Sequence, residues 1–100
     1  MTANGKAKFC LGQIVATPGA IEALEASGQD AGFFLRRHAA GDWGEVSPDD
    51  GELNNASLVD GSRILSAYRT LKGVKIWIIT DAADERNQRF STIVLLPSEY

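Results

Sequence analysis

Arg63-Ile64-Leu65-Ser66-Ala67-Tyr68-Arg69-Thr70, then Leu71-Lys72-Gly73, then Val74-Lys75-Ile76-Trp77-Ile78-Ile79-Thr80-Asp81 is the stretch whose reading decides the fold. Both eight-residue runs are rich in Ile, Val, Thr and aromatic side chains, which fit a pleated, half-buried surface. The three residues between them include the glycine that a tight hairpin turn requires. A third run, Phe90 to Leu96, has the same composition and is stopped by Pro97. The polar loop Ala83 to Gln88 joins it to the second run, with Asp84, Glu85 and Arg86 at its tip. The back half therefore predicts a three-stranded antiparallel meander.

Alternation across a strand sorts the side chains into two faces. Ile64, Ser66, Tyr68 and Thr70 share one side of the first strand, and Arg63, Leu65, Ala67 and Arg69 the other. Val74, Ile76, Ile78 and Thr80 oppose Lys75, Trp77, Ile79 and Asp81. Phe90, Thr92, Val94 and Leu96 oppose Ser91, Ile93 and Leu95. Neither side is wholly polar, so helices are expected to cover the more apolar face and leave a mixed one in solvent.

Outward from the meander, the front half reads as helical. Thr17-Pro18 is a cap followed by proline at the first helical position, where its missing N–H costs nothing. A short helix follows to about Ala26, with Gly28 beyond it. Asp30 can cap a second helix from Ala31 to about Ala40, closed by Gly41, with Arg36, Arg37 and His38 in the last turn where positive charge suits the helix dipole. Asp42-Trp43-Gly44 reads as a tight turn. Ser47-Pro48-Asp49-Asp50 starts a third helix ended by Gly61. Its packing face is expected at Leu53, Ala56 and Val59, with Asn54 and Asn55 weakening the helix. Phe9 to Ala16 is compatible with a short N-terminal strand that would make the sheet four-stranded. The whole is an α+β domain over residues 9–100, preceded by a flexible arm over 1–8.

Composition narrows the function. One hundred residues with a net charge of −3 lack the basic footprint of most nucleic-acid-binding domains; Arg36-Arg37 is the local exception. One histidine and one cysteine at no ligand-type spacing predict no metal. Glycine-rich phosphate loops, nucleophile elbows and paired-carboxylate motifs are absent, so no cofactor is expected. The single cysteine, Cys10, excludes an internal disulfide and fits a reducing cytoplasm, where it would be an inert small hydrophobe. Phe9 to Ala16 is too short an apolar stretch to span a membrane.

The pattern His38-x-x-Gly41-Asp42-Trp43-Gly44, Gly61-Ser62-Arg63-Ile64-Leu65-Ser66-Ala67-Tyr68, Lys75-Ile76-Trp77-Ile78-Ile79-Thr80 and Thr92-Ile93-Val94-Leu95-Leu96-Pro97-Ser98-Glu99-Tyr100 resembles a family of small bacterial proteins of uncharacterised function, many carried on plasmids and other mobile elements. The resemblance covers about Leu11 to Tyr100. It implies a bacterial or mobile-element origin and no assured activity. Family context, absent catalytic motifs and a small acidic domain together suggest a non-enzymatic, regulatory module whose partner is another protein, as a monomer or small homo-oligomer. In layout, a histidine-bearing helix before a small antiparallel sheet is also similar to barnase, EndoU and RelE-type ribonucleases, which cleave RNA without metal. That likeness implies His38 as acid/base, Arg63 as phosphate anchor, and Tyr68 and Thr92 lining the site.

His38 has two readings: a proton-transfer group near neutrality, with Asp42 orienting its ring, or a cap on helix-end carbonyls. On the second, His38→Ala leaves stability intact. Trp43 is a stacking platform or a core plug folded back onto the second and third helices; the flanking glycines favour the plug. Arg37, Asp42, Trp43, Ser66 and Trp77 are the candidate binding residues.

Overall fold

A computed structural model describes residues 6–100. Four strands, β1 (Gln13–Ala16), β2 (Ile64–Arg69), β3 (Lys75–Thr80) and β4 (Ser91–Leu95), and three helices, α1 (Pro18–Ser27), α2 (Ala31–Ala39) and α3 (Pro48–Asp60), form an α+β fold. The expected arm at 1–8 falls mostly outside the described residues; Lys8 already donates its backbone N–H to the Ala39 carbonyl at 2.7 Å.

The sheet order is β1-β4-β3-β2. β2–β3–β4 is the expected antiparallel meander. The expectation of a purely antiparallel sheet is corrected at β1, which pairs parallel with β4. The chain between them passes through three helices and two strands, long enough to return in either sense, whereas a short turn permits only antiparallel pairing. Gly12 makes the entry possible: a Cβ there would lie 2.4 Å from the Arg89 and Phe90 carbonyl oxygens.

Local chemistry sets the helix ends largely as the sequence reads. Thr17 accepts from the Ala20 N–H and Ser47 from the Asp50 N–H, each with proline following. Gly28 and Gly61 close α1 and α3 in the left-handed region. α2 ends on Ala39 and is capped by Ala40 rather than Gly41, and Asp30 stands at its N-cap without a side-chain hydrogen bond. Ala20 and Leu24 of α1 and Phe34 and Leu35 of α2 pack on Tyr68, Ile76, Ile78 and Val94, so these two helices cover the Ile64/Ile76/Val94 face of the sheet.

α3 docks differently from expectation. Leu53 and Val59 are 65% and 90% exposed, and the buried positions are Asn54 and Ser57. The reason is the exposed edge of β2, whose backbone groups need partners more than they need apolar cover. Asn54 donates through Nδ2 to the Leu65 carbonyl at 2.7 Å and accepts the Leu65 N–H on Oδ1 at 3.1 Å, copying a strand's pairing with one side chain. Farther along the same edge, Gly44 bridges Ala67: the Ala67 N–H donates to the Trp43 carbonyl and the Glu45 N–H to the Ala67 carbonyl. A Cβ at Gly44 would stand 2.0 Å from the Ala67 oxygen, so only glycine fits this approach. The Asp42-Trp43-Gly44 turn is thus also a one-residue strand.

The other sheet face holds an apolar row of Leu65, Ile79, Ile93 and Val15, in register across the four strands. Tyr100 lies on this side, edge-on to Trp77 at 5.7 Å. No described helix is long and apolar enough to cross a membrane.

Candidate functional site

His38, in the last turn of α2, is completely buried. Beneath it lie Ser66 on β2, Thr80 at the end of β3 and Thr92 on β4, all pointing to the helix side. Thr80 and Thr92 are cross-strand partners, and Ser66 is one pair away on the diagonal. His38 Nδ1 is 2.5 Å from Ser66 Oγ, His38 Nε2 is 2.8 Å from Thr80 Oγ1, and Thr80 Oγ1 is 2.7 Å from Thr92 Oγ1. Thr92 Oγ1 in turn donates to the Leu11 carbonyl at 2.7 Å.

That last bond orders every proton in the chain. A carbonyl can only accept, so the single Thr92 proton is spent on Leu11. Thr80 must then donate to Thr92, which leaves its oxygen to accept from His38 Nε2–H. His38 is neutral with the proton on Nε2, and Nδ1 accepts from Ser66. Burial lowers the His38 pKa to about 3, with the positive charge of Arg89 adding to it. The arrangement has the parts of a serine–histidine pair, yet Ser66 is fully buried and, among the described residues, no carboxylate supports the ring.

Aromatic groups seal the imidazole. Phe9 meets it edge-on at 5.2 Å and Trp43 at 6.0 Å. Trp43 is 8% exposed and donates its indole N–H to Asn55 of α3 at 3.0 Å, so it is the plug that the flanking glycines suggested. Arg89 lies over the other aromatic wall, 5.4 Å from the Phe9 centroid. It is a buried cation with no acid in salt-bridge reach among the described residues. Its guanidinium donates instead to the Ser57 and Ser62 carbonyls, at and just beyond the C-terminus of α3 where the helix dipole is negative, and to the Asp81 carbonyl just past β3.

Of the residues proposed from sequence, His38, Ser66 and Thr92 are brought into one network. Tyr68 shares their face but points to a different partner, donating to the Asp42 carbonyl at 2.6 Å; burial raises its pKa to about 12. Asp42 does not orient His38. It takes the Arg37 Nε–H at 2.7 Å, and that bond holds its carboxyl below the usual carboxylate range. Arg37 also lies 4.7 Å above the Tyr68 ring, closing a surface triangle. Arg63 stands on the opposite face, donating to the Tyr100 hydroxyl at 2.8 Å, and Trp77 is on that face too. Thr80, Arg89 and Asn54 were missed. Thr80 had a signal: hydroxyls recur at inward positions of three neighbouring strands that are otherwise aliphatic. For Arg89, at the end of a polar loop, the sequence offered none.

An open cleft of about 340 Å³ beside Arg89 is lined by Ala82, Asp84, Gln88 and Phe90. The Asp84 carboxylate there already accepts the Arg86 and Gln88 N–H groups. Among the described residues, no three His, Cys, Asp or Glu side chains gather as a metal ion would need. No family model, curated protein or solved structure matches the chain.

Proposed function

We propose that this chain is a non-enzymatic protein-binding module of the regulatory kind found among small mobile-element proteins. The observation that supports this reading is the internal use of the chemistry-bearing residues: the one side chain suited to proton transfer near neutrality has both ring nitrogens occupied and no exposed surface. What the protein offers to solvent instead is apolar surface beside β1, where Ile14, Val15 and Phe90 are 49%, 42% and 79% exposed. Association at such a surface requires no titrating group. The ribonuclease alternative needs His38 to reach RNA, and the sealed ring lends it no support.

The test is association of the purified chain, with itself or with a protein captured from a bacterial lysate, in the wild type and in a Val15→Lys/Phe90→Ser variant. The reading expects association that the variant loses. Absence of any association, together with RNA cleavage that His38→Ala abolishes, would overturn it.

A further inference from the structure

We propose that the outer edge of β1 pairs with β1 of a second copy of this chain, antiparallel about a two-fold axis through Val15. The inference rests on the protein-binding reading and names its partner.

The two sheet edges are treated differently. The β2 edge is covered by Gly44 and by the Asn54 amide. Among the described residues nothing pairs with the outer edge of β1, and Gln13-Ile14-Val15-Ala16 contains none of the lysines, prolines or charges that guard a free edge. Its hydrogen-bonding groups are in phase for self-pairing. Gln13 donates inward to the Phe90 carbonyl and Thr17 to the Val94 carbonyl. Alternation along the strand then turns the N–H and C=O of Ile14 and Ala16 outward. An axis through Val15 sets Ile14 against Ala16 of the second copy, and Ala16 against Ile14, as two hydrogen-bonded pairs. Val15 faces its own counterpart in the close, non-hydrogen-bonded pair between them. Four backbone hydrogen bonds form, and each Ile14 has the small Ala16 across from it.

The charge pattern favours a second copy over a charged partner. Phe9 to Ile21, thirteen residues, holds no Asp, Glu, Lys or Arg in a chain that is 23% charged, and neither does Ser91 to Leu95 beside it. A neutral apolar edge meets itself without like-charge repulsion and offers the side chains of a charged peptide no countercharge. A four-residue edge with Phe90 beside it is small, so the dimer belongs to the weak, concentration-dependent class. Each copy carries a net charge of −3, so added salt strengthens it.

Sedimentation from roughly 1 μM to 1 mM, the range in which weak interfaces associate, reads the equilibrium. The expected result is a monomer–dimer transition in the wild type that shifts to lower concentration in salt and disappears in Val15→Lys, with an unchanged circular dichroism spectrum. Should that variant fail to fold, cross-linking decides. In a Cys10→Ser background, Val15→Cys should form a disulfide dimer under mild oxidation and Gln13→Cys should not. A wild type monomeric throughout, or equal cross-linking at both positions, overturns the proposal. If that monomer still captures a different protein and Val15→Lys releases it, self-pairing is wrong while the protein-binding reading stands. A monomer that captures nothing removes both.

Discussion

His38 takes up a proton near pH 6.5 in an unfolded chain and only near pH 3 in the fold. Between those values the unfolded state binds more protons, so the contribution is complete above pH 6.5 and is lost as the pH falls toward 3. The full loss is roughly 4–5 kcal/mol, against a total stability for such domains of about 5–15 kcal/mol. Asp42, Asp60 and Glu99 have lowered pKa values and add their losses only below about pH 4.5. Unfolding free energies from urea titrations at pH 7.5 and pH 5 should therefore differ by about 2 kcal/mol in the wild type and by little in His38→Gln. The sequence reading expected His38→Ala to be harmless; the structure reverses this. Truncation leaves a cavity and deprives Ser66 of its acceptor and Thr80 of its donor, so a loss of about 3 kcal/mol or more is expected, close to the roughly 3–5 kcal/mol of Trp43→Ala. The histidine's importance was legible because it is unique in the chain. Its role was not, because position in a helix's last turn does not say which face of the helix meets the sheet.

At the scale of elements, α3 separates helix propensity from docking. Asn54→Ala improves intrinsic helix propensity by a few tenths of a kcal/mol. It also strips the Leu65 N–H and C=O of their partner at a part-buried place, where an orphaned group costs on the order of 1 kcal/mol. Net destabilisation is the expected outcome in a denaturant titration, whereas Leu53→Ala and Val59→Ala, at exposed positions, should shift the midpoint little. Arg89→Met should cost roughly 3 kcal/mol or more, since it removes the donor from three carbonyls, and Arg89→Lys should rescue it poorly because an ammonium lacks the planar fork. Strands, hairpin and helix starts were readable because each depends on neighbours in sequence: Thr17-Pro18, Ser47-Pro48 and Gly73 act within one turn of themselves. The parallel pairing of β1, the docking of α3 through Asn54 and the burial of Arg89 depend on residues far apart in sequence, and periodicity gave the wrong face for α3.

For the molecule as a whole, α1 and α2 cover one face of the sheet, α3 and the Gly44 bridge close one edge, and the histidine with its three hydroxyls ties the helical layer to three strands. The central claim is that this network is sealed and structural, so that function belongs to the surface. Nitrogen-15 NMR of the His38 ring across pH 8 to pH 4 tests it most directly. The account predicts a neutral ring protonated on Nε2, with Nδ1 as a hydrogen-bond acceptor and no titration in that range. A ring that titrates near pH 6.5, or carries its proton on Nδ1, would contradict it.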